Sequence, residues 1–152
     1  MSTTNAEIAG IRTIALVGQT TAGKTSLVEQ LLWKAGAIGS PGSLERGTTV
    51  CDFDPLERRA QHSINASVVH FNYRESRIHL IDTPGYPDFV GQSMTSLEAV
   101  DTAAIVINAQ SGIEMMAARM MDWAARRNLC RMIIVNKIDG QEIGRASCRE
   151  RV

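Results

Sequence analysis

Cysteine is scarce in this chain of 152 residues: there are three, Cys51, Cys130 and Cys148, an odd number with no Cys-x-x-Cys pair. That excludes a disulfide framework and a thiolate zinc site, and it fits a reducing, cytoplasmic setting. Long apolar runs are missing too, since no stretch approaches the roughly 20 residues that a membrane-spanning helix needs. The polar opening, residues 1–10, lacks the basic flank and apolar stretch of a secretory signal. Nor does either charge predominate. Lys and Arg number 16, as do Asp and Glu, so bulk charge gives no argument for DNA or a membrane as partner. Internal repeats and low-complexity tracts are absent. We therefore expect a soluble, intracellular monomer whose partners have to be argued from its sites.

What is present is an ordinary globular composition, 44% hydrophobic and 21% charged. Four short apolar runs recur, Ile14-Ala15-Leu16-Val17, Ile78-His79-Leu80-Ile81, Ala104-Ile105-Val106-Ile107 and Met132-Ile133-Ile134-Val135. Near-continuous apolar runs are what strands covered on both faces look like, as in a parallel sheet. Helical spacing lies between them: Leu27, Val28, Leu31 and Leu32 over 24–34; Met94, Leu97 and Val100 over 91–100; Met116, Met120 and Trp123 over 113–127. This βα alternation predicts an α/β fold.

One segment breaks the pattern. Residues 64–73 are β-rich, and Arg74-Glu75-Ser76 leads straight into the next strand, too short for a helical crossover. That predicts one antiparallel strand in an otherwise parallel sheet. Residues 35–57, rich in Gly and Pro and without periodicity, read as a long mobile loop, and a loop of that length in a compact domain is usually functional. After Asp139 only 13 residues remain, and 145–152 hold three Arg, one Glu and one Cys without apolar period. The expected division is a polar extension over 1–10, a domain over 11–139 that is incomplete at its C-terminus, and a tail over 140–152 foreign to the fold.

The chemistry sits where apolar strands end. Gly18-Gln19-Thr20-Thr21-Ala22-Gly23-Lys24-Thr25 matches Gly-x4-Gly-Lys-Ser/Thr, after one strand and opening one amphipathic helix with Ser26 next. Glycines let successive N–H groups converge on phosphate oxygens, Lys24 neutralises phosphate charge, and the Thr25 hydroxyl suits Mg2+. The helix N-terminus adds its partial positive charge. Asp82-Thr83-Pro84-Gly85 follows a second strand. There Asp82 can hold Mg2+ and the Gly85 N–H can meet the γ-phosphate. By itself this tetrapeptide is also a good β-turn. Asn136-Lys137-Ile138-Asp139 follows the last apolar strand. A carboxylate only accepts, and guanine offers adjacent N1–H and N2–H donors where adenine has none, so Asp139 selects GTP over ATP. Asn136 can tie the base loop to the phosphate loop, and the Lys137 stem can cover the ring.

These three motifs in this order resemble the nucleotide site of P-loop GTPases. The block from Asp82 to Phe89 (DTPGYPDF) is similar to that of translational GTPases, and Gly47 to Glu57 (GTTVCDFDPLE) with His62-Ser63-Ile64 resembles the first switch region of elongation factor G-like proteins, in the divergent branch that carries DTPGY. The resemblance spans nearly all of the chain to Asp139 and only the first part of that family's large G domain. It implies GTP and GDP as ligands with Mg2+, hydrolysis of GTP, and a role on the ribosome, in translocation or ribosome disassembly. It also puts Ser63 where the family's switch Thr reaches the metal, making Thr25, Ser63 and Asp82 the implied metal ligands.

Departures accompany the matches. Tyr86 stands where these factors carry the His that positions the attacking water; a phenol, ordinarily with a pKa of about 10, is a poor base, so slow hydrolysis is expected of Lys24 and Tyr86 as the catalytic pair. Gln19 and Thr21 replace the family's usual His and Asp, which removes a carboxylate that could hold a monovalent ion. Two other readings follow: a GTP-dependent binding switch with little hydrolysis, and a truncated, non-functional product. Outside the motifs, His70 and His79 read as sheet residues. Met115, Met116, Met120 and Met121 read as core, and Arg58-Arg59 and Arg126-Arg127 as solvated faces.

Overall fold

The computed structural model describes residues 10–139. The proposed tail over 140–152, and the N-terminal extension up to Ala9, lie outside the described residues. In chain order the elements are β1 (Ile11–Gly18), α1 (Lys24–Lys34), α2 (Pro55–Ala60), β2 (Ser67–Tyr73), β3 (Ser76–Asp82), a 3-10 turn (Pro87–Phe89), α3 (Val90–Leu97), β4 (Thr102–Asn108), α4 (Met115–Arg126) and β5 (Cys130–Asn136).

The five described strands form one sheet in the order β2-β3-β1-β4-β5. β1 runs parallel to β3 and β4, and β4 parallel to β5. Only β2 is antiparallel, paired with β3 from Ser67↔Asp82 to Tyr73↔Ser76. The turn is therefore two residues, Arg74-Glu75, with Arg74 at φ +54, a left-handed geometry that suits a tight hairpin. His70 and His79 face each other directly, with ring centroids 5.7 Å apart. The β-rich segment starts pairing at Ser67, three residues later than its composition suggests.

Side chains alternate even within the continuous apolar runs, and the alternation divides the core into two layers. Ala15, Val17, Ile81 and Ile105 join Leu97 of α3 and Met116, Met120 and Ala124 of α4 in one cluster. Leu16, Leu80, Ala104 and Val106 join Val28 and Leu32 of α1 and Phe71 in the other. Helices on both faces explain why Ala15 to Val17 of β1 and Ala103 to Val106 of β4 are apolar on both sides.

Three expectations need correction. β5 is not covered on both faces among the described residues: Met132, Ile133 and Val135 are 43%, 54% and 56% exposed, and β4 is its one described neighbour. Met115 is 66% exposed, whereas Met116 and Met120 are fully buried. The helical spacing points Met115, its first residue, away from the sheet. The segment read as loop to Glu57 ends instead in α2, whose start is a capping box: Asp54 Oδ1 accepts from the Leu56 N–H at 2.8 Å, Glu57 Oε2 accepts from the Asp54 N–H at 3.3 Å, and Pro55 opens the helix.

The parallel strands β1, β3, β4 and β5 all end on one edge of the sheet, at Gly18, Asp82, Asn108 and Asn136. Ligands of open α/β sheets bind at that edge.

Candidate functional site

The phosphate-loop sequence forms a turn between β1 and α1. Gly18 (φ +139) abuts the Val106 carbonyl and Gly23 (φ +90) abuts the Asn136 amide, so closely that a Cβ at either position would collide. Thr21 is also left-handed, at φ +61. Lys24 is buried, its ammonium donating to the carbonyls of Gly18 at 3.1 Å and Gln19 at 2.9 Å. Burial pulls that group down to about 8, partly opposed by the Asp82 carboxylate. Gly85 meets the loop from β3: its carbonyl accepts from the Thr20 N–H at 3.2 Å, and a Cβ there would strike the Thr20 backbone. Ser93 of α3 donates to the Pro84 carbonyl at 2.9 Å and holds that turn in place.

Thr25, Ser63 and Asp82 converge although they are far apart in sequence. The Thr25 hydroxyl donates to Asp82 Oδ2 at 2.6 Å and lies 3.4 Å from the Ser63 hydroxyl. Asp82 is buried, and its other oxygen, Oδ1, has no hydrogen-bond partner among the described residues. Burial pushes the Asp82 carboxyl up to about 6, against the Thr25 hydrogen bond and the Lys24 charge. A buried, half-satisfied carboxylate beside two hydroxyls is an all-oxygen donor set, the chemistry that Mg2+ takes. The residues present therefore fit that ion.

On the other side of the loop, Asn136 Nδ2 donates to the Ala22 carbonyl at 2.9 Å, joining the end of β5 to the phosphate loop. Lys137, left-handed at φ +57, lines the same cavity as Lys24. Asp139 is exposed and does not line that cavity. The cavity holds about 260 Å3, with Thr20, Thr21, Gly23, Lys24, Thr25, Ser26, Gly85, Tyr86 and Lys137 among its lining residues. Gln19 contributes a buried side-chain oxygen without a hydrogen-bond partner among the described residues.

Several residues at the site lie outside the three nucleotide motifs. Leu44, Gln61 and His62 line the cavity, and the His62 ring packs against Tyr86 with centroids 4.5 Å apart and planes inclined by 52°. Three buried carboxylates hold the segment that delivers them. Glu29 of α1 accepts from the Gly42 and Val50 N–H groups at 2.8 and 2.6 Å. Asp52 accepts from Thr49 at 2.9 Å and from Ser63 at 2.8 Å. Glu57 accepts from the Ile64 and Asn65 N–H groups, both at 2.9 Å. Arg58 is exposed, as a solvated face requires, and its Nε also donates to the Asp52 carbonyl at 3.1 Å. The signal for these contacts is weak in sequence: a carboxylate within a segment that has too few apolar residues for a core of its own.

Comparison with known proteins agrees with this geometry. The sequence model of the elongation factor Tu GTP binding domain matches residues 9–150. The chain is 39% identical over 141 residues to an elongation factor G-like protein of Mycobacterium tuberculosis, covering 93% of this chain and 19% of that protein. It is 34% identical over 142 residues to the mitochondrial ribosome-releasing factor 2 of Schizosaccharomyces pombe, covering 92% and 18%. A crystal structure of a Thermus thermophilus protein superposes with a TM-score of 0.83 at 40% identity, over 86% of this chain and 20% of that one. The chain thus spans about a fifth of the length of these curated relatives.

Proposed function

The chain belongs to the elongation factor Tu GTP-binding domain family, and from that premise we propose that it binds GTP, hydrolyses it to GDP and phosphate, and serves a translation factor that works on the ribosome. The observation that carries the reading is the meeting of Lys24, Thr25, Ser63 and Asp82 at one end of the sheet. In this reading residues 11–139 carry the nucleotide site. The loop N–H groups and Lys24 hold the β- and γ-phosphates, at the N-terminus of α1 where partial positive charge gathers. Thr25, Ser63 and Asp82 would hold Mg2+, which when bound neutralises phosphate charge. The Gly85 N–H faces the γ-phosphate, so the turn after β3 senses its loss. Asn136 fixes the base loop, Lys137 covers the ring and Asp139 reads guanine.

Tyr86, 37% exposed at the rim, supplies a phenol where a water-positioning imidazole is expected from the family resemblance, so turnover is slow unless another group positions the water. The names of the relatives, an elongation factor and a ribosome-releasing factor, support the ribosome as partner. The test is competition titration of the chain with GTP, GDP and ATP, followed by single-turnover phosphate release with and without ribosomes. Preference for guanine nucleotides and ribosome-stimulated release are expected. Equal affinity for ATP would overturn the base reading, and tight GTP binding without any release would leave a binding switch instead of an enzyme.

A further inference from the structure

We propose that His62 positions the attacking water, supplying from the segment before β2 the imidazole that position 86 lacks. This rests on the hydrolytic reading above. His62 lines the cavity together with Lys24, Gly85 and Tyr86. Its backbone is held on the C-terminal side, because the neighbouring Ser63 hydroxyl donates to Asp52 Oδ1 at 2.8 Å and the next two N–H groups donate to Glu57 Oε1 at 2.9 Å.

Two contacts fix the ring itself. His62 Nδ1 lies 2.8 Å from the Ala60 carbonyl oxygen; a carbonyl can only accept, so Nδ1 donates there and, in the uncharged ring, Nε2 is the acceptor. The Tyr86 ring, 4.5 Å away between centroids and inclined by 52°, restricts rotation of the imidazole. An imidazole with one nitrogen tied to the backbone keeps the other as the acceptor that can orient a water. Phosphoryl transfer depends mainly on such positioning. In the step, the water oxygen bonds to the γ-phosphorus while the bond from that phosphorus to the bridging oxygen breaks, its electron pair staying with GDP. Nε2 accepts a hydrogen bond from the water during the attack, and both water protons leave with inorganic phosphate.

The experiment measures single-turnover phosphate release and fluorescent-GTP affinity for the native chain and for His62→Ala, His62→Phe and His62→Gln. His62→Phe keeps a ring against Tyr86 without an acceptor, so it tests the chemistry even where the alanine variant folds poorly. Release should fall at least about tenfold in the alanine and phenylalanine variants with affinity changed less than about twofold, and His62→Gln, whose amide oxygen accepts, should recover most of the rate. Unchanged release in His62→Phe would overturn the assignment while leaving the hydrolytic reading intact. Parallel loss of affinity and rate without recovery by glutamine would make His62 a structural residue and also overturn it. A native chain that binds GTP and releases no phosphate would overturn both.

Discussion

Glu29→Gln should free the segment between α1 and α2 from the body of the domain. The native carboxylate is 1% exposed and accepts two backbone N–H groups, from Gly42 at 2.8 Å and Val50 at 2.6 Å. Hydrogen bonds to a charged acceptor contribute about 1.5–3 kcal/mol each. A glutamine offers one acceptor oxygen and turns an amide NH2 toward the other N–H, so one bond is lost and the survivor becomes a neutral pair. The cost is about 2–4 kcal/mol, and at about 1.4 kcal/mol per tenfold the local opening equilibrium rises roughly 30- to 800-fold. Native-state hydrogen exchange reads this directly. The Gly42 and Val50 amides should exchange faster by that factor, and Leu16 and Val17 in β1 only by as much as global stability falls. Unchanged exchange at both amides, with global stability within about 0.5 kcal/mol of native, would refute the claim that Glu29 pins this segment.

The remaining expectations concern the nucleotide site and its neighbours. Lys24→Ala should abolish triphosphate binding while the circular dichroism of the fold is retained; a loss of less than tenfold, about 1.4 kcal/mol, in a titration would show the phosphate-loop reading to be overstated. Asp139→Asn should shift preference from guanine toward xanthine triphosphate, which offers an acceptor where guanine has its amine, and an unchanged preference in competition would remove Asp139 as base reader. Tyr86→His placed in the His62→Ala background returns an imidazole to the cavity and should raise phosphate release at unchanged affinity; no gain would show that an imidazole at the rim is not what limits the rate. Burial, then the carboxylates of Asp82, Glu29, Asp52 and Glu57, push the Cys51 thiol up. Cys51 should therefore resist iodoacetamide at pH 8 until the protein is unfolded, while exposed Cys130 reacts in the native state, and mass spectrometry of labelled peptides distinguishes the two.

Much of the fold was legible because apolar runs and their order are local properties. Leu16-Val17, Leu80-Ile81 and Ile105-Val106 are strands in the sequence and in the structure, and the short link at Arg74-Glu75 leaves room only for a hairpin. What failed depended on neighbours. The run at Met132 to Val135 is as apolar as the other three, but composition does not say whether a strand is central or at an edge. Among the described residues β5 is at an edge, with Met132, Ile133 and Val135 about half exposed. The short helix α2 was different, since Asp54-Pro55 followed by Glu57 is a start signal readable in advance. It was hidden by the glycine-rich run before it.

The site divides along the same line. The residues in contiguous motifs, Gly18 to Thr25, Asp82 to Gly85 and Asn136 to Asp139, could be named because each chemistry is concentrated in a few consecutive positions. Glu29 carried no such signal, and Asp52, Glu57 and His62 lay in the stretch that resembles the first switch region without a role attached to them. Glu29 sits in α1 between Val28 and Gln30, where periodicity sees a polar residue beside an apolar stripe, and its partners lie 13 and 21 residues away. The reason such carboxylates are there is physical. A segment of this length with little apolar content still has backbone N–H groups to satisfy when it folds against the sheet, and buried acceptors can satisfy them two at a time. Those same bonds bring Ser63 beside Thr25 and set the His62 ring against Tyr86. Order in the segment and chemistry at the cavity therefore depend on one set of contacts. A substitution that loosens Glu29 or Asp52 should act on the site without touching nucleotide.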